Sequence, residues 1–227
     1  MKPTEHSRLI SEAAKLELAP IGCSQKGRSR TWLDDHGWWV GVVEFQPHSG
    51  ARGSYLNVGA CWLWFEKDYF SFDDGHRVKP FQEFTNAQQF AEDAKYLAKS
   101  AREEVLKLRL KYPTIEVCAD HLCTHALNAP WGYFHAGVAA GLSGNAEIAV
   151  YQFSRIAKEE PKAQWIRSLQ DRAAQLASMA HDQELFTSEI ASAVDRTRSL
   201  LKLPIAQPFV PLNNETSLTE SPDARQP

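Results

Sequence analysis

Between residues 28 and 65 the chain is dense in aromatic and β-branched residues broken by two polar turns, whereas over 4–18 and again from 85 onward apolar residues recur every three or four positions. The first pattern predicts β-strands and the second amphipathic helices. From residue 4 to about 18, Leu9, Ile10, Ala13, Ala14 and Leu16 keep helical spacing; Thr4 can cap the start, and Pro20 with Gly22 ends the run. Strands are expected over 29–33, 38–45 and 55–65, joined by a tight turn at Asp34-Asp35-His36-Gly37 and a longer one over 46–54. In the third strand the even positions Leu56, Val58, Ala60, Trp62 and Trp64 make an unbroken apolar face. Its odd positions are polar near the hairpin and apolar toward the strand end, so the second face is half covered by another part of the chain.

The segment 66–84 has no period and mixes rings (Tyr69, Phe70, Phe72, Phe81, Phe84) with charges; it reads as a long connection pinned by its aromatics. Thr85 and Gln88 make a capping box. The longest helix follows, with Phe90, Ala94, Leu97, Ala98, Ala101, Val105 and Leu108 on one stripe up to Pro113. A shorter helix is expected over 115–127, and beyond Pro130 the chain turns alanine-rich, with a helix-turn-helix unit followed by two more amphipathic helices. The last stretch, rich in Pro, Asn, Ser, Thr and Glu without periodicity, is expected to be disordered. The fold class is therefore α+β: a three- to four-stranded antiparallel sheet packed with helices over 1–128, a helical part over 129–203, and a tail over 204–227.

Composition narrows the functional field. Among 227 residues, 43% are hydrophobic and 23% charged, with a net charge of −3. That balance suits a soluble domain and disfavours a nucleic-acid partner, which usually calls for a basic excess. Charges at Glu5, Arg8, Glu12, Lys15 and Glu17 rule out a signal peptide over the first residues, and no uninterrupted apolar stretch reaches membrane-spanning length. A cytoplasmic location, no membrane and no cofactor are the expectations. Cys23, Cys61, Cys118 and Cys123 show no metal-type pairing and read as free thiols.

Two stretches carry a resemblance. The run Leu18-Ala-Pro-Ile-Gly-Cys-Ser-Gln-Lys-Gly-Arg-Ser-Arg-Thr-Trp32, then residues 39–46, then Leu56-Asn57-Val58-Gly59, resembles a bacterial domain family known only as a domain of unknown function. Cys23 stands where that family has an aromatic, and Phe45-Gln46 keeps part of its second signature. The resemblance implies a fold and no activity. Residues 131–158 resemble one tetratricopeptide hairpin, through Gly137, Gly144-Asn145, Ala149, Phe153 and Pro161, with smaller residues than the repeat expects at Ala136 and Ala140.

Three groups of residues could carry chemistry. Cys118, His121 and His125 approach one helix face and are the types zinc accepts, although the plainer reading is core packing, since structural zinc normally shows two spaced ligand pairs. Arg28 and Arg30, sharing a face with Gln46 and Asn57, could hold phosphate or, with Trp32, a base; the plainer reading is a charged edge strand. Asp73 and Asp74 with His76 could supply acid–base groups, although Asp-Asp-Gly is first a turn sequence. No nucleophile elbow or zinc-protease motif is present. The leading expectation is a non-enzymatic module that binds another protein, such as an immunity or accessory factor. The alternative is a metal- or carboxylate-dependent hydrolase or nuclease, which requires residues 73–77 and 121–125 to meet in one cleft, within about 10 Å. A nucleic-acid binder using Arg28, Arg30 and Trp32 is the third.

Overall fold

A computed structural model describes residues 4–125 and 129–205, so the expected tail lies outside the described residues apart from Pro204 and Ile205. Helix α1 (Glu5–Leu18) buries Ile10, Ala13, Ala14 and Leu18. It closes through a 3-10 turn at Ala19–Ile21 onto Gly22, whose φ of 90° is one that L side chains rarely adopt. Five strands follow: β1 (Ser24–Gln25), β2 (Thr31–Asp35), β3 (Trp39–Glu44), β4 (Gly53–Trp62) and β5 (Asp74–Glu83). They form one antiparallel meander in the order β1-β2-β3-β4-β5.

The sheet thus exceeds the three or four strands expected, and the two extra strands lie at its edges. β1 has two residues. β5 replaces most of the expected connection; it carries Pro80 and lacks a strict alternation of buried and exposed positions. An edge strand tolerates both, since one side of its ladder is unpaired and a proline there forfeits no hydrogen bond. Register shifts between Ser54 and Leu56 and between Leu56 and Asn57 further disturb its pairing with β4.

The two faces of the sheet are buried by different partners. Trp32, Val43, Phe45, Leu56 and Val58 pack against α1 and against α2 (Ala87–Lys111), through Phe90, Ala94, Leu97, Ala98 and Ala101. Asn86 caps α2 by accepting from the Gln89 amide at 2.9 Å, one residue later than the expected cap at Thr85. Farther along, Trp39, Trp62 and Trp64 join a second cluster with Tyr112 and the C-terminal helices. On the opposite face Cys61 is buried, and its Sγ lies 3.4 Å from Ser71 Oγ, so the 66–73 segment is what half covers the odd positions of β4.

Five helices complete the chain: α3 (Ile115–His125), α4 (Pro130–Leu142), α5 (Ala146–Ala157), α6 (Gln164–Met179) and α7 (Gln183–Leu201). α4 is their hub, and every residue from Tyr133 to Leu142 in it is buried. A helix apolar on all sides belongs in an interior. Its glycines set how close its neighbours come. A Cβ on Gly137 would stand 2.6 Å from the Phe153 ring, and one on Gly141 2.4 Å from that of Phe186.

The expected boundary between residues 128 and 129 is crossed by one continuous core, in which Trp62 and Trp64 of the sheet half join Phe134, Ala136 and Val138 of α4. A second tie is polar. Arg198 of α7, 5% exposed, donates from Nη1 and Nη2 to Asp35 at 2.8 and 2.7 Å, and to the carbonyl oxygen of Gly37 at 2.8 Å. No described helix is long and apolar enough to cross a membrane.

Candidate functional site

A cleft of about 240 Å³ opens where the start of β5, the end of α2, α3 and α4 converge. It is lined by Trp62, Phe72, Asp73, Asp74, Tyr112, His121, His125, Trp131 and His135, among others. The Asp73–Asp74 turn and the α3 histidines, far apart in sequence, therefore wall the same space.

Asp73 is fixed by the turn that starts β5. Its backbone N donates to the Ala60 carbonyl at 2.9 Å, and its Oδ2 accepts from the Trp62 amide at 2.8 Å and from Lys67 Nζ at 2.9 Å. Lys67 also donates to Ser71 Oγ at 2.7 Å, so a buried ion pair staples the 66–73 segment to β4. Burial works against ionisation of Asp73, but His135 when charged, the Lys67 ammonium and the Trp62 amide outweigh it and hold the carboxyl below its usual range. Asp74 is committed in a similar way: its Oδ2 accepts from Lys111 Nζ at 2.7 Å and from the Tyr112 hydroxyl. Those two bonds prevail over burial and lower its carboxyl too, while burial and Asp74 push the Tyr112 phenol up.

His135 sits at the cleft floor, 3% exposed. Trp64 donates its indole N–H to His135 Nδ1 at 2.9 Å, which leaves the imidazole proton on Nε2. Nε2 faces Asp73 Oδ1 across 3.8 Å, too far for a direct hydrogen bond. Burial, reinforced by Lys67 and opposed by Asp73, brings the His135 pKa down to about 4, so the ring is a neutral donor near pH 7. Neither His135 Nε2 nor Trp62 Nε1 has a hydrogen-bond partner among the described residues. Two buried N–H groups without acceptors on residues that line one cleft are unusual, because an unmet buried donor costs about 1–3 kcal/mol.

The rim is aromatic. The Trp131 ring stacks on His135 at 5.7 Å and on Trp165 at 6.1 Å. The His121 and His125 rings stack at 4.7 Å, and Tyr112 meets His121 edge-on at 5.6 Å. Burial, with Lys111 and His125 nearby, lowers the His121 pKa against the opposing pull of Asp74.

The structure separates the expected metal trio. Cys118 is fully buried in the core, whereas His121 and His125 stack on each other at the cleft rim. Among the described residues no three His, Cys, Asp or Glu side chains are disposed to hold a metal ion. The turn of α3 that follows Cys118 carries the histidines outward, while Cys118 packs inward.

The expected group of Arg28, Arg30, Gln46 and Asn57 is also divided. Arg28 and Arg30 border one shallow depression beside α1, where Arg30 donates to Ser7 Oγ at 2.6 Å and to the Gly53 carbonyl at 3.0 Å. Asn57 and Gln46 belong to a separate network: Asn57 Nδ2 donates to Gln46 Oε1 and Glu44 Oε2, both at 3.0 Å, and Arg77 donates to Gln46 Oε1 at 3.1 Å while lying over the Tyr55 ring. Alternation explains the split, since Arg30 shares the parity of Trp32 and Asn57 that of its partner Glu44. Trp32 is 4% exposed in the core, which removes it as a stacking platform for a base.

His135, Tyr112 and Trp131 were not singled out by the sequence. The one available signal was His135 itself, the single imidazole inside a largely apolar helix. Comparison of the chain with protein families, with curated proteins and with solved structures finds no match.

Proposed function

We propose that the chain is a binding protein for a small polar molecule, held in the cleft between β5, α3 and α4. The observation that carries this reading is the pair of buried, acceptor-less N–H groups on Trp62 and His135, two residues that line a cleft with an aromatic rim. Binding is favoured over hydrolysis by the state of the carboxylates. Asp73 and Asp74 are both lowered and already engaged by lysine, tyrosine or amide donors, which suits neither for general-acid work near pH 7. A thermal-shift screen against a library of small polar metabolites tests it. The expected result is a set of stabilising compounds whose effect is lost in Trp131→Ala; no stabilising compound, or hits indifferent to that substitution, would overturn it.

A second reading, binding of another protein, is favoured by one separate observation. On the outer side of α5, Ile148 and Tyr151 are 37% and 60% exposed, one helical turn apart. Affinity capture with the whole chain and with Tyr151→Ser tests it, the expected result being a partner retained by the first and lost by the second.

A further inference from the structure

We infer that the ligand of this cleft is a neutral, hydroxyl-bearing ring of pyranose type, seated with one hydroxyl oxygen between His135 and Asp73. This rests on the binding reading above and specifies its chemistry. Three observations lead to it.

The first is the geometry at the floor. His135 Nε2 carries a proton and has no acceptor, and Asp73 Oδ1 lies 3.8 Å from it while the other carboxylate oxygen takes both the Trp62 amide and Lys67. The group that serves both must accept at one oxygen and donate from that same oxygen. A hydroxyl does so; a carboxylate or phosphate dianion cannot donate, and an ammonium cannot accept.

The second is charge. Asp73 is matched by Lys67 at 2.9 Å and Asp74 by Lys111 at 2.7 Å, so the two acids and two bases around the cleft sum to zero. An anion would meet two carboxylates, and a cation would meet an unmet N–H donor and carboxylates whose charge Lys67 and Lys111 already offset. A neutral ligand avoids both costs.

The third is the wall. Trp131 and Phe72 are the partly exposed rings bordering a space of about 240 Å³, below the size of drug-sized pockets, and the buried Trp62 and Tyr112 back it. Aromatic faces cover the C–H groups of a saturated ring while N–H and carboxylate groups at the edges take its hydroxyls.

The test is a titration of the whole chain, labelled with 15N at tryptophan, with three probes separately: a set of neutral methyl pyranosides, inorganic phosphate, and tetramethylammonium. The Trp62 indole N–H resonance is assigned through Trp62→Phe. The expected result is saturable movement of that resonance with at least one pyranoside, and binding at least tenfold weaker in the rim variant Trp131→Ala. Movement with phosphate or tetramethylammonium but with no pyranoside overturns the ligand class and leaves the binding reading standing. If no probe moves the resonance, the ligand class fails; if the metabolite screen is also blank, the binding reading fails with it.

Discussion

Trp64 and His135 are 71 residues apart, yet the indole N–H of the first reaches Nδ1 of the second at 2.9 Å inside the core. That single bond decides which imidazole nitrogen bears hydrogen, and with it which side of the ring offers a donor to the cleft. Trp64→Phe deletes the donor together with part of the stacked ring. The expected outcome is a loss of about 1–3 kcal/mol in urea unfolding, because a buried acceptor is left unmet. The 15N shifts of the His135 imidazole should move toward a mixture of tautomers.

The low pKa of His135 makes stability depend on acid in a defined window. In the unfolded chain the ring takes a proton near its ordinary value of 6.5, whereas in the folded chain it resists until about 4. Its contribution is therefore fully present above about pH 6.5 and is lost as pH falls toward 4, by on the order of 3 kcal/mol. His6 and His121, whose values are also lowered, add smaller losses of the same sign. Asp73 and Asp74, lowered as well, begin to lose their contributions only below the unfolded carboxylate range near 4. Urea unfolding of His135→Gln at several pH values should show a flatter slope between pH 6.5 and 4; an unchanged slope would assign the effect elsewhere.

Gly137 and Gly141 allow Phe153 and Phe186 to touch the backbone of α4. Gly137→Ala or Gly141→Ala should each destabilise by about 1–3 kcal/mol, the overpacking cost outweighing the gain in helix propensity. Combining Gly141→Ala with Phe186→Leu should recover part of the loss, and a double-mutant cycle of denaturation midpoints measures the coupling.

Arg198 is a buried cation with Asp35 as its counter-charge. Arg198→Ala should cost about 3–5 kcal/mol, since it leaves a half-buried carboxylate without its counter-charge, whereas Arg198→Ala with Asp35→Asn should cost less than the single change. Because core and ion pair both span the middle of the chain, unfolding followed by tryptophan fluorescence and by far-ultraviolet circular dichroism should coincide in one transition.

Local physics made most of the secondary structure legible. The apolar stripe of α2, the alternation in β4 and the Gly-bearing turn at Gly37 each encode their element within a few residues. β5 escaped because an edge strand need not alternate, and Pro80 argued against it. The cleft was legible only in pieces. Asp73 and Asp74 in a turn, and His121 and His125 on a helix, were visible as residue types, but nothing in the sequence stated that Tyr112 would hold Asp74 or that His135 would face Asp73. Those relations arise from how α3 and α4 fold back over the strand ends. The expected zinc trio failed for a related reason: spacing places residues on a face, and packing decides whether that face turns inward.

The clasp between Arg198 and Asp35 joins residues 163 positions apart. During synthesis the β2–β3 hairpin leaves the ribosome long before its guanidinium partner exists, by roughly 8–30 s at 5–20 residues per second. In the first part of that interval the indoles of Trp38, Trp62 and Trp64 await Tyr112 and α4, not yet made. The nascent chain thus presents a sticky aromatic surface to its surroundings, and a holdase or slow concentration-dependent losses on refolding are the natural companions of such an order of assembly.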